Sequence, residues 1–224
     1  MPNFIVGARL HDYGKGTPDE LFGQVSADGF AAVQLAYKKC VPSVKSYADV
    51  TDALVAETVA AEKAHHIQVA VLGTYVELAI NDESRLCNVA DFKSQLAVCK
   101  ALGAGCIGTE TTAMSKQPAG TTRAQAQELL CRSLAEILPA AETLGVTVGI
   151  EPVTYHSMNS AAATRHILDT MRSPNLKVIF DMSNLVDAGN VGAQDRIWND
   201  VGELLGDQIV AVHFKGQSFA PDGG

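Results

Sequence analysis

Short apolar runs alternate along this chain with longer segments in which apolar residues return every three or four positions. The runs FIVGARL (4–10), FAAVQLAY (30–37), IQVAVLG (67–73), CIGTE (106–110), VTVGIE (146–151), LKVIFD (176–181) and IVAVHF (209–214) have the length and composition of buried strands. The segments between them predict helices over about 18–28, 47–66, 83–102, 121–144, 159–171 and 193–205. Thr17-Pro18-Asp19-Glu20 supplies one helix start, and Ser173-Pro174 stops the helix that opens near Asn159. Strand and helix alternate with no linker or shift in composition. That predicts one domain, residues 1–224, built on a parallel sheet.

Three of the runs end on residues that can ligate a metal: VTVGIE at Glu151, LKVIFD at Asp181 and IVAVHF at His213. They are spaced 30 and 32 residues apart, the length of one strand, one covering helix and two loops. Runs this apolar read as parallel strands buried on both faces, where a charged last residue is costly unless it has a partner. Successive parallel strands present their C-terminal ends on one side, so the three side chains are expected to converge at one rim. A glutamate, an aspartate and a histidine gathered there suggest a divalent-metal site.

Strand parity separates a barrel from an open sheet. If Glu151 points inward, so do Thr147 and Gly149, while Val146, Val148 and Ile150 face the helices. The same phase puts Lys177 and Ile179 inside with Asp181, and Ile209 and Ala211 inside with His213. Large branched residues then lie on the helix side and smaller or mixed ones inside, which suits a (β/α) barrel interior. A doubly wound sheet would carry a nucleotide signature after its first strand, and neither GxGxxG nor GxxxxGK[ST] occurs there.

Composition narrows the function. The 224 residues are 47% hydrophobic and 19% charged, enough apolar material for a sizeable core with no disordered tract. The net charge of −8 argues against a duplex nucleic-acid groove, whose phosphates would be repelled. The N-terminal residues lack the basic start and apolar core of a signal peptide, and no run is long enough to span a bilayer. The five cysteines are odd in number and have no CxxC spacing, so reduced thiols and a cytoplasmic location are expected.

The same residues carry a resemblance. IEPVTYHS (150–157), FDMSNLVD (180–187) and VHFKG (212–216) resemble the metal motifs of the xylose isomerase-like barrels, the sugar phosphate isomerase/epimerase superfamily. LGTYVELA (72–79) and LGAGCIGTET (102–111) are similar to that group's third- and fourth-strand motifs. The resemblance implies a (β/α)8 TIM barrel in which Glu151, Asp181 and His213 bind one divalent ion, with Mn²⁺, Mg²⁺ or Co²⁺ expected from the oxygen and imidazole ligands. A second glutamate, after the eighth strand, completes the family's site. The two glutamates shuttle a proton between adjacent sugar carbons through an enediolate. Here only 11 residues follow His213, so the eighth strand, its glutamate and the last helix would lie beyond Gly224. The expectation is a barrel cut short after the seventh strand, from a truncated or partial sequence.

Glu151 is the candidate catalytic residue, because it can hold the metal and also reach a substrate C–H proton. Asp181 and His213 are assigned to the metal alone. Asn184, three residues past Asp181, either faces substrate or metal or caps the next turn. His156 either hydrogen-bonds a sugar hydroxyl or stays solvated in its loop. Lys215, on the same face as His213, can hold a phosphate or hydroxyl, though a lysine at a strand end is often simply solvated. Glu110, ending the fourth strand, is a candidate for binding substrate or supporting a ligand. His11 and Asp12 either close the rim or serve the loop, and His65-His66 closes a helix with no catalytic role.

The function expected is a divalent-metal-dependent isomerase or epimerase of a sugar or sugar phosphate. The alternative is a non-catalytic or truncated sugar-binding barrel that lacks the second glutamate. A phosphodiesterase acting on abasic DNA shares the superfamily but needs more metal ligands and a basic face. The partner expected is a small sugar or sugar phosphate, with no nucleic acid and no membrane; a homo-oligomer is left open.

Overall fold

Every apolar run of the sequence becomes a strand of one sheet. The structure, a computed structural model, describes residues 4–218. In chain order its elements are β1 (Gly7–Arg9), α1 (Pro18–Ala27), β2 (Ala32–Leu35), α2 (Tyr37–Cys40), α3 (Asp52–His65), β3 (Gln68–Gly73), α4 (Ser84–Leu102), β4 (Cys106–Glu110), α5 (Arg123–Leu144), β5 (Val148–Glu151), α6 (Ala161–Met171), β6 (Leu176–Asp181), α7 (Gln194–Leu205) and β7 (Ile209–His213). The seven strands pair in sequence order, and every pairing is parallel. This is the curled sheet of a TIM barrel through its seventh strand, and among the described residues no strand joins β7 back to β1. No helix of the described residues is long and apolar enough to cross a membrane.

Local chemistry sets the helix boundaries. Thr17 and Thr122 form capping boxes with Glu20 and Gln125, and Thr51 and Ser160 accept the N–H groups of Leu54 and Ala163. The predicted helix over 47–66 is split at its start. The Asp49 carboxylate accepts from the backbone N–H groups of Lys45 and Ser46, which turns the chain into a single 3-10 turn before Thr51 caps α3. The first strand is also shorter than the predicted 4–10. Phe4, Ile5 and Val6 stay exposed, because among the described residues β1 has a neighbour on one side only.

Two apolar layers pack on the sheet. The larger lies between strands and helices, where Leu134, Ile137, Ile167, Val148, Ile150 and Val178 are fully buried. The smaller fills the concave interior with Val71, Cys106 and Ile179, supported by Ala70 and Ala211. Gly108 and Gly149 are register partners on β4 and β5, and the Ile179 side chain lies across both. A Cβ at Gly149 would sit 2.8 Å from Ile179 Cγ1, so only glycine lets this branched side chain plug the interior. Parity therefore holds for Gly149, Ile179 and Ala211. It fails at Ile209, which packs in the helix-side layer. The β6–β7 register jumps from Val178↔Ile209 to Ile179↔Ala211, so the extra residue Val210 resets the alternation.

Candidate metal and substrate site

Glu151, Asp181 and His213 are the last residues of β5, β6 and β7, and Asp181 and His213 are direct register partners. Each offers a ligand atom, and these atoms lie within 4.8 Å of one another. Glu151 and Asp181 are only 5% and 1% exposed, so their charges depend on the groups around them. Asp181 Oδ1 accepts the backbone N–H groups of Ser183 and Asn184 at 2.9 and 3.2 Å. Its Oδ2 faces Lys215 Nζ at 2.7 Å and His213 Nδ1 at 3.8 Å. Glu151 Oε1 accepts from Asn184 Nδ2 at 2.6 Å, and its Oε2 lies 3.3 Å from His213 Nδ1.

Burial by itself would lower the His213 pKa, but the hydrogen bond and charge of Glu151, with the charge of Asp181, outweigh it and raise the value. His213 Nε2 is buried without a hydrogen-bond partner among the described residues. Two carboxylates and one imidazole, whose Nε2 has no partner, make a donor set that fits a divalent ion.

The other candidates surround this cluster. Asn184 touches Glu151 through its amide N–H and accepts from Lys215 Nζ at 3.1 Å. Lys215 also lines a cavity of about 280 Å³ together with Thr154, Tyr155, Ser183 and Gly216. Glu110 stands in register beside Glu151, and burial, then the Glu151 charge, raises its pKa. His156 is buried rather than solvated, with Nε2 3.8 Å from Glu110 Oε2 and Nδ1 unpartnered. Burial pushes its pKa down to about 4, so the ring is neutral near pH 7. His11 packs edge-on to Tyr75, Asp12 pairs with Arg9, and His65 pairs with Asp19 on α1.

The sequence did not single out Gln34, Lys39 or Tyr75, which lie near Glu110 and Glu151 at the strand ends. Gln34, Gly73, Tyr75, Glu110, Glu151 and Ile179 enclose a narrow space at the strand ends. Tyr75 follows β3 with φ of 55°, a left-handed conformation that is uncommon for a bulky residue. Its hydroxyl accepts from Gln34 Nε2 at 3.1 Å, and Lys39 Nζ sits 3.2 Å from the ring centroid. Its place past a strand end, within LGTYVELA, was the available signal, since a left-handed tyrosine cannot be read from residue types.

A curled parallel sheet with side chains that could hold a metal ion at the ends of consecutive strands is the layout of a barrel with its site at the C-terminal rim. Residues 22–224 match the family described as xylose isomerase-like TIM barrel, and the chain belongs to that family. No curated protein matches it at the sequence level. Among solved structures it is similar to 3-keto-D-glucoside 4-epimerase from E. coli, with TM-score 0.76 and 16% identity over 96% of this chain and 80% of that one. A D-psicose 3-epimerase, solved in the presence of D-fructose, gives TM-score 0.72 and 18% identity over 96% and 77% of the two chains. A xylose isomerase-like TIM barrel protein from Mycobacterium smegmatis, solved in complex with magnesium, gives 0.70 and 14% over 97% and 77%.

Proposed function

We propose that this protein is a divalent-metal-dependent isomerase or epimerase of a sugar or sugar phosphate, moving a proton at a carbon next to a carbonyl through an enediolate. One observation carries the reading. Glu151 belongs to the three-ligand cluster and also lines the narrow space enclosed by Gln34, Tyr75 and Glu110. A carboxylate placed between a cation site and the space at the strand ends is suited to accept a proton from carbon.

Glu151, Asp181 and His213 would hold the ion. When bound, it supplies positive charge where negative charge develops on the substrate's oxygens. Glu151 takes the proton; the Asn184 amide holds its Oε1, and Oε2 faces His213 Nδ1 at 3.3 Å. Asp181, fixed by two backbone N–H groups, cannot swing away and serves as ligand only. Glu110 and the neutral His156 accept and donate hydrogen bonds to sugar hydroxyls. Lys215 and Asn184 serve the substrate on the opposite side. The similarity of the fold to sugar epimerases supports this substrate class.

Turnover of D-fructose and other ketoses with Mn²⁺ in D₂O tests the reading. Deuterium should enter the product at the reacting carbon. Glu151→Gln keeps an oxygen ligand but cannot accept a proton, so the rate should fall roughly 10²–10⁴-fold. Product free of deuterium, together with an undiminished Glu151→Gln rate, would rule the mechanism out. Metal binding with no turnover of any ketose would favour a sugar-binding barrel instead.

A further inference from the structure

Of the two oxygens of Asp181, Oδ1 is already engaged by two backbone N–H groups, so Oδ2 is the one left for a metal. That oxygen is held by the Lys215 ammonium at 2.7 Å. The same ammonium donates to Asn184 Oδ1, and Asn184 in turn donates to Glu151. One cation thereby bridges, directly and through an amide, both buried carboxylates of the cluster. A divalent ion drawn to the same oxygens would lie close enough to repel it strongly in so buried a place. Lys215 is not trapped: its side chain is 44% exposed and borders the cavity of about 280 Å³. Thr154, Tyr155 and Ser183 line that cavity, and the Ser183 hydroxyl donates to the Lys215 carbonyl at 2.9 Å. Its carboxylate, Asp187, is turned to its own loop by accepting from Gly189 and Asn190.

We propose that Lys215 is the resident counter-ion of the Glu151–Asp181–His213 cluster, that a divalent ion displaces its ammonium, and that the displaced ammonium binds a phosphate group in the adjoining cavity. The inference rests on the metal reading above and extends it to the substrate class, a sugar phosphate bound after the metal. No bond is made or broken in this exchange. Metal and phosphate are then linked, and by reciprocity each raises the affinity of the other by the same factor. A lysine suits the task because its single charge on a flexible stem can move between two anionic partners.

Calorimetry tests this on the full chain with Mn²⁺ as the metal and sulfate as the phosphate mimic, since sulfate does not precipitate Mn²⁺. Three outcomes are expected. Lys215→Met binds Mn²⁺ about tenfold more tightly than the native chain, a typical size for such coupling. The native chain binds sulfate only when Mn²⁺ is present, and Lys215→Met never does. Lys215→Arg, which restores the charge, keeps weaker Mn²⁺ binding and the sulfate effect, which also controls for folding. Equal or weaker Mn²⁺ binding by Lys215→Met would overturn the proposal, and so would sulfate binding that ignores Mn²⁺. Failure of the underlying metal reading looks different: Mn²⁺ binding that is absent, or that survives Asp181→Ala unchanged.

Discussion

Asn184 donates its side-chain N–H to Glu151 Oε1 at 2.6 Å, tying the end of β5 to the loop after β6. The amide fixes the orientation of the carboxylate, leaving Oε2 toward His213, and its own carbonyl holds Lys215. Asn184→Ala removes both constraints without touching a metal ligand. Turnover should fall 10- to 100-fold, the usual cost of losing such a support, while thermal stability changes by about 1 kcal/mol or less. Wild-type kcat in this variant would mean that Glu151 needs no positioning.

The interior plug gives a second expectation. Adding a methyl group at Gly149 forces it against Ile179 Cγ1 and Cδ1. Gly149→Ala should lose roughly 1–3 kcal/mol in denaturant unfolding. Pairing it with Ile179→Val should recover part of that loss, because neighbouring sites are not additive. Strict additivity would show that the two do not share one packing space.

Tyr75 separates backbone from ring. Tyr75→Ala and Tyr75→Gly both remove the ring and its contact with Lys39, yet only glycine is at ease at φ of 55°. The glycine variant should be more stable than the alanine variant by roughly 1–2 kcal/mol. Both should raise KM for the sugar. Equal stability of the two would show that the left-handed backbone carries no strain.

His156 provides a pH-dependent test. Burial lowers its pKa from 6.5 to about 4; Lys116 and Arg123 act in the same direction, while Glu77 opposes them. Below 6.5 the unfolded chain takes up a proton that the folded ring refuses, so this residue costs stability increasingly as pH falls toward about 4. His156→Gln should therefore lose less Tm between pH 7 and 4.5 than the native protein. Parallel Tm profiles would show that the ring is not desolvated.

How far the sequence is legible follows from what each feature depends on. Strand ends at Glu151, Asp181 and His213 are readable because apolar runs have a fixed period and the chain direction repeats. The inward placement of Ile179 and Ala211 follows from alternation alone. Ile209 escapes that rule because one added residue, Val210, interrupts the ladder, and nothing in IVAVHF marks it. The bond between Lys215 and Asp181 is also invisible in advance. Its position two residues past His213 indicates the face of the strand, but the partner lies 34 residues back on another strand. His156 shows the same limit: its loop reads as solvated, and only the packing of that loop against Thr111 and Ala113 buries the ring.

Glu151, Asp181, His213 and their supports come from the second half of the chain, whereas Gln34 and Tyr75 on the facing wall, with Lys39 over the Tyr75 ring, come from the first half. The two sets share no hydrogen bond among the described residues, and they meet only across open space. On the proposed function, variation in the early part of the gene can reshape which sugar is admitted while Glu151, Asp181 and His213 stay under separate selection. In such a layout new specificities can accumulate by small steps at Gln34, Lys39 and Tyr75, each tested on an unchanged chemical centre.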